Sequence, residues 1–201
     1  FPKWQSLGQK GNATAQTLLG EMYEFGNGVP QNYDLAVKWY KKAAEQGKIE
    51  AQYNLGGMYY HSKGIPQDYE QAIKWYKKAA EQGDRMAQFN LGLIYFNGNG
   101  VIQDYNIAIK WFRKAAEEGH LDAQNKLGFM YERGLVVPQN YKKASNWYRK
   151  AAKQGYASAQ FNLGIMYSKG QGLDQDYNQT LKWCRKAADQ NNLKAQIKLG
   201  V

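Results

Sequence analysis

Trp39-Tyr40-Lys41-Lys42-Ala43-Ala44-Glu45-Gln46-Gly47 is the stretch that decides the fold, because the chain keeps returning to it. Its tryptophan recurs at Trp75, Trp111, Trp147 and Trp183, each 36 residues after the last. A fixed period of this length, without insertions, marks stacked helical units rather than one globular core. Each unit needs its neighbours to bury its apolar face, so one elongated domain with no internal boundary is expected across the 201 residues.

The tryptophan stretch is the end of a helix. In the second copy, Tyr69, Ala72, Ile73, Trp75, Tyr76, Ala79 and Ala80 make one apolar stripe, with Lys74, Lys77, Lys78 and Glu81 opposite. The helix starts after Asn32, Asp68, Asp104, Asn140 or Asp176, residues whose side-chain oxygen caps an orphan backbone N–H. It stops at Gly47, Gly83, Gly119, Gly155 or Asn191, residue types that tolerate the left-handed C′ position. A second helical pattern lies in each unit. Ala51, Leu55, Met58 and Tyr59 share one face, and the equivalents of Ala51, Leu55 and Gly56 are the same in all six copies. A mid-helix glycine costs about 1 kcal/mol relative to alanine. Its return at Gly56, Gly92, Gly128 and Gly164 implies that a neighbouring helix leaves no room for a Cβ.

Two helices per unit give an all-α fold, an α/α right-handed superhelical solenoid of about five helix-turn-helix repeats. The repeats run 12–47, 48–83, 84–119, 120–155 and 156–191, with a partial copy over 192–201. Residues 1–11 read as a degenerate N-terminal cap or a truncated repeat, since Gly11 is in register but Lys3 stands in the tryptophan column.

The pattern is similar to a known family. Ala51-Gln52, Leu55-Gly56, Tyr59, Gly64-Ile65-Pro66-Gln67-Asp68-Tyr69, Ala72, Trp75-Tyr76, Lys78-Ala79-Ala80 and Gly83 resemble the Sel1-like repeat, a relative of the tetratricopeptide repeat with a longer inter-helix turn. The resemblance covers about residues 12–201. It implies a non-catalytic scaffold or adaptor, with members in bacterial envelope, secretion and signalling systems and in eukaryotic quality control. One cysteine-rich branch is linked to penicillin binding and hydrolysis. A cell-wall or β-lactam binding protein is therefore the alternative, but Cys184 is the only cysteine and that branch's disulfides are absent.

Invariant columns answer to the fold; variable columns are free to serve a partner. Trp39, Trp75, Trp111, Trp147 and Trp183, with the alanines, are expected to hold the second helices to the stack. On the first helices the variable columns place Tyr53, Tyr60, Phe89, Leu93, Phe96, Phe129 and Phe161 along a concave surface, where aromatic side chains suit a protein or peptide partner. Glu132, Arg133 and Lys169 would supply polar contacts at its rim.

Net charge is +10, which raises a third reading, an electrostatic binder of an acidic partner, nucleic acid or a membrane surface. Fourteen of the 27 Lys and Arg, however, sit in the three columns of Lys38, Lys41 and Lys42, and Glu45, Glu81 and Glu117 accompany them. Nucleic acid is not expected. The fourth unit, with Lys142, Lys143 and Lys153, is the most basic and is where an acidic partner would dock. No run reaches the length of a membrane span. His61 and His120 stand in different columns, no zinc or nucleophile motif appears, and no metal, cofactor or catalytic residue is expected. The expected state is a monomer or weak oligomer. Because the chain begins at Phe1, the compartment stays open between bacterial cytoplasm and, had a signal peptide been removed, periplasm or exterior.

Overall fold

The computed structural model describes residues 1–135 and 137–200; Val201, the last residue of the partial repeat, lies outside the described residues. Among the described residues there are twelve helices and no strand. The first helices of the repeats are α2 (Ala13–Phe25), α4 (Ile49–His61), α6 (Arg85–Asn97), α8 (Leu121–Arg133), α10 (Ala157–Lys169) and α12 (Leu193–Leu199). The second helices are α3 (Tyr33–Glu45), α5 (Tyr69–Glu81), α7 (Tyr105–Glu117), α9 (Tyr141–Lys153) and α11 (Tyr177–Ala188). A short helix, α1 (Pro2–Gln9), precedes them.

The chain forms two compact units, Phe1–Gln103 and Asp104–Val201. In the first, α2 packs on α1 and α3, α4 on α3 and α5, and α6 on α5. In the second, α8 packs on α7 and α9, α10 on α9 and α11, and α12 on α11.

The caps work as the residue types dictate. Asn32, Asp68, Asp104, Asn140 and Asp176 each accept a hydrogen bond from the backbone N–H three residues on, within 2.8–3.0 Å. Asn191 takes the left-handed conformation that glycine takes in the other copies (φ 61°).

Two glutamine columns close the other helix ends. The Nε2 of Gln16, Gln52, Gln88, Gln124, Gln160 and Gln196 donates to the carbonyl eight residues back, in or beside the last turn of the preceding helix. Gln31, Gln67, Gln103, Gln139 and Gln175 each donate at 2.8 Å to the carbonyl seven residues back, at the end of a first helix. Side-chain amides thus satisfy carbonyls that a helix terminus leaves without partners. The same bond places α1: Gln16 donates to the Gly8 carbonyl as Gln52 does to that of Ala44, so α1 occupies a second-helix position ahead of the first repeat.

Among the large side chains of the second helices, the most buried column is not the tryptophan but the residue after it. Tyr40, Phe112, Tyr148 and Cys184 are fully buried, and Tyr76 nearly so. Trp75 is buried, whereas the other four repeat tryptophans are half-buried. Each repeat tryptophan instead carries the lysine one turn on: Lys42, Lys78, Lys114, Lys150 and Lys186 lie 4.2–5.2 Å from the ring centres.

The recurring mid-helix glycine explains the buried tyrosine. A Cβ on Gly20 would lie 2.5 Å from the Tyr40 ring, on Gly56 2.8 Å from Tyr76, and on Gly128 2.6 Å from Tyr148. On Gly164 it would meet the Cys184 Sγ at 2.8 Å. The paired helix leaves no room for a Cβ there, and what fills the space is chiefly its buried side chain. Gly128→Ala should therefore lower stability by about 1–3 kcal/mol despite alanine's better helix propensity. A urea midpoint at or above that of the parent chain would refute this account.

The C-caps of the first helices supply a prediction of opposite sign. Gly26, Gly98, Gly134 and Gly170 are left-handed there, but Ser62 holds the same conformation (φ 57°) with a Cβ. Left-handed backbone costs a non-glycine residue about 1–2 kcal/mol. Ser62→Gly should raise the thermal midpoint by a few degrees in a scanning calorimeter, after the loss of the weak Ser62 Oγ bond to the Ile65 carbonyl (3.2 Å).

Candidate functional site

The variable columns of the first helices differ in how far they reach solvent. Phe25, His61, Asn97, Arg133 and Lys169, which end their helices, are exposed in every copy. One residue earlier, Tyr60, Phe96 and Glu132 are half-buried and Glu24 is buried. Tyr53, Phe89, Leu93, Phe129 and Phe161 are likewise half-buried. These aromatics are neither free of the fold nor sealed inside it: each shows part of its ring and packs the remainder.

In the first unit, Tyr53 tilts against Tyr76 with ring centres 5.7 Å apart, and Tyr60 meets Tyr69 edge-on at 5.4 Å. The Tyr60 hydroxyl accepts a 2.6 Å hydrogen bond from Asn99 Nδ2. Tyr60 and Leu93 line a small hollow of about 120 Å³ with His61, Tyr76 and Asn90. Toward α2 the same unit turns acidic. Glu24 accepts from the Tyr40 hydroxyl at 2.9 Å and pairs with Lys63 at 3.2 Å. Burial, with Glu24 and Glu50 nearby, pushes the Glu21 carboxyl up.

In the second unit the candidates converge. Phe129, Glu132, Arg133, Phe161 and Lys169 line a single cleft of about 680 Å³ between α8, α10 and the start of α12. Phe129 and Phe161, with Ile165, provide its apolar lining, and the Arg133 guanidinium lies 5.7 Å from the Phe129 ring centre. Asn162 donates to Asn125 at 3.0 Å and ties α10 to α8 beside it. Lys126 and Lys194 add positive charge. Sequence reasoning missed both lysines, although each stands in a column that varies between copies; variation alone did not single them out.

Glu132 has a second role. Its Oε2 accepts a 2.7 Å hydrogen bond from the buried Tyr148 hydroxyl, as Glu24 does from Tyr40. The pairing raises the tyrosines' own proton affinity. Burial, then the nearby carboxylate and its hydrogen bond, hold the Tyr40 and Tyr148 phenols protonated far above their ordinary value of 10.0. Burial does the same for Tyr76.

The two histidines and the cysteine make contacts within the fold. His120 caps α8, its Nδ1 accepting from the Ala123 N–H at 3.3 Å, and His61 stacks edge-on against Tyr60. Cys184 is buried in the tyrosine column, and burial pushes its thiol up, away from the reactive thiolate. Among the described residues no group of three or more His, Cys, Asp or Glu could hold a metal ion, and no helix is long and apolar enough to cross a membrane.

Among the described residues, twelve helices arranged in 36-residue pairs define the class: a helical repeat solenoid. Compared with protein families, the chain matches the Sel1 repeat five times, over residues 13–48, 49–84, 85–120, 121–156 and 157–192, and it belongs to that family. Sel1 repeat proteins are generally non-catalytic protein-interaction scaffolds. Among solved structures it is similar to a protective antigen present in uropathogenic Escherichia coli strains: 43% identity, TM-score 0.96, over 98% of this chain and 42% of that one. The chain thus spans less than half the length of that antigen. A Sel1 repeat protein from Oxalobacter formigenes is 37% identical over 92% of this chain and 74% of its own, with a TM-score of 0.85. Helicobacter pylori cysteine rich protein B is 26% identical over 64% of this chain and 92% of its own, with a TM-score of 0.52. A comparison with curated proteins finds no match.

The buried phenols give a pH prediction. Their pKa values are raised on folding, so the unfolded chain ionises first, near pH 10, and the folded state still holds its protons there. Stability should be flat with respect to these groups below about pH 9 and fall above pH 10. Tyr76→Phe should remove about one proton's worth of that slope, about 1.4 kcal/mol per pH unit. Urea midpoints taken between pH 8 and 11 that run parallel for the two proteins would contradict it.

Proposed function

We propose that this protein is a non-catalytic scaffold that holds a segment of a partner protein against the face of its first helices, with the cleft between α8 and α10 as the principal seat. One observation carries the reading: five side chains from columns that vary between repeats line one cleft of about 680 Å³. Burying the exposed parts of Phe129, Phe161 and Ile165 supplies affinity, at roughly 25 cal/mol per Å² of apolar surface. Arg133 and Lys169, exposed at the ends of α8 and α10, favour a segment with carboxylates flanking its apolar anchors. In the first unit, Tyr53, Tyr60, Phe89, Leu93 and Phe96 offer a more apolar surface of the same kind. The partner contacts would then be shared among several repeats, as expected of a binding surface built from stacked units.

Selection of a displayed random-peptide library on the parent chain tests this directly. Selected peptides should combine apolar anchors with Asp or Glu, and Phe129→Ala/Phe161→Ala should weaken them by at least about tenfold, the effect of losing an aromatic anchor. Phe25→Ala, a comparable loss at an exposed position outside the cleft, should leave them unchanged. Peptides that bind both variants equally would overturn the assignment.

A further inference from the structure

The outer side of α9 departs from the other second helices in a way the repeat does not require. The residue two positions past the invariant alanine pair's start is Glu45, Glu81, Glu117 and Asp189 in four copies, but Lys153 in the fourth. Over Tyr141–Lys153 the helix carries no Asp or Glu, while Lys142, Lys143, Arg149, Lys150 and Lys153 give it five cations. Elsewhere the acidic residue offsets the ladder, as where Lys77 and Glu81 approach to 3.9 Å. Here nothing of opposite charge stands in its place.

The structure shows how these cations are held. Tyr131, from the end of α8, and Trp147 form the aromatic wall of a cleft of about 490 Å³ that Lys143, Arg149, Lys150 and Lys153 surround. The Lys150 ammonium lies 4.2 Å from the Trp147 ring centre and that of Lys143 5.4 Å from the Tyr131 ring centre. Arg149 Nη1 reaches the Asn146 Oδ1 at 3.5 Å, and Arg113 Nη2 donates to the Tyr131 hydroxyl at 3.2 Å. Aromatic faces and neutral oxygens orient these groups without cancelling their charge, and none of them is in an ion pair among the described residues. A set of positioned, uncompensated cations on an aromatic wall is complementary to carboxylates interleaved with apolar side chains.

We propose that this cleft on α9 is a second docking surface, whose occupant is an acidic segment of a protein. Nucleic acid and anionic membrane fit less well, because both present charge over an extended track. The cation excess here is confined to one repeat: α7 ends in Glu117 and is followed by Glu118, and α11 is followed by Asp189. The proposal uses no residue of the cleft between α8 and α10 and stands whether or not that cleft is the principal seat.

The test uses the full chain and four probes at low and physiological salt: a fluorescent 12-residue peptide of Glu and Asp with Leu at every third position, the same peptide with Lys for the acids, a 20-nucleotide single-stranded DNA, and phosphatidylserine vesicles. The acidic peptide should bind saturably, more weakly as salt rises, and lose about tenfold or more in affinity with Lys143→Glu/Lys153→Glu. Lys38→Glu/Lys41→Glu makes the same charge change at exposed positions of α3 and should alter binding by less than about twofold. Equal effects of the two pairs would reduce the interaction to net charge and overturn the proposal. So would DNA or vesicles binding as tightly as the acidic peptide, or no saturable binding of that peptide. If Phe129→Ala/Phe161→Ala abolishes binding and Lys143→Glu/Lys153→Glu does not, the peptide sits in the other cleft; this proposal then fails while the scaffold reading survives.

Discussion

An aromatic ring laid on a glycine is the constraint on which these repeats depend. Tyr40 on Gly20, Tyr76 on Gly56 and Tyr148 on Gly128 bring the two helices of a repeat to a spacing that a Cβ would prevent. The ring is buried on the helix that carries the tryptophan, while its hydroxyl points toward the first helix. In the first and fourth repeats it meets Glu24 and Glu132, whose column holds Tyr60, Phe96 and Ser168 in the others. The core contact therefore dictates part of the exposed surface. Where the buried residue is a tyrosine in the first and fourth repeats, the surface column supplies a carboxylate to accept its proton. An unpaired phenol buried there would cost about 1–3 kcal/mol.

That coupling explains what could and could not be read from the residues. The period, the helices, their caps and the closing glycines all follow from local chemistry at fixed spacing, and each is where the repeat puts it. The role of the tryptophan is less direct. Trp39, Trp111, Trp147 and Trp183 are conspicuous in the sequence but only half-buried, because a ring of that size at the helix flank also supports the lysine one turn on. The adjacent tyrosine, less conspicuous, is the core residue. Periodicity assigns both to one apolar stripe and cannot rank them, since ranking depends on which ring faces a glycine across the helix pair.

The candidate site was legible in outline. Sorting invariant from variable columns brought Phe129, Phe161, Arg133 and Lys169 to one cleft. The sorting assumes that a column free to vary is free of the fold, and Glu132 violates that assumption. Its column faces the buried residue sixteen positions on: Glu24 with Tyr40, Tyr60 with Tyr76, Phe96 with Phe112, Glu132 with Tyr148, Ser168 with Cys184. Hydroxyls of the tyrosines in the first and fourth pairs meet carboxylates, and the third pair has no polar group to satisfy. Variation tied in this way reports packing between the two helices of a repeat, and only variation free of it, as at Arg133 and Lys169, is left to report a partner.

The same distinction separates the two clefts of the second unit. The one between α8 and α10 is made largely of columns that vary between copies, so its chemistry is the sum of many small departures. The one on α9 rests on columns that barely differ, apart from one inversion of sign at Lys153, the two lysines that begin the helix, and Asn146 where the other copies have lysine. A solvated helix face has no use for that inversion. Lys153 stands one turn after Arg149 and Lys150, so it replaces a favourable i, i+4 pair with repulsion of a few tenths of a kcal/mol. The macrodipole favours a cation in the last turn, but Lys150 already meets that need. Repeat proteins tolerate such local departures because stability is summed over units, and a small loss in one is absorbed by the rest. A charge placed against the repeat's own pattern, and held beside an aromatic wall, is then best understood through what it attracts.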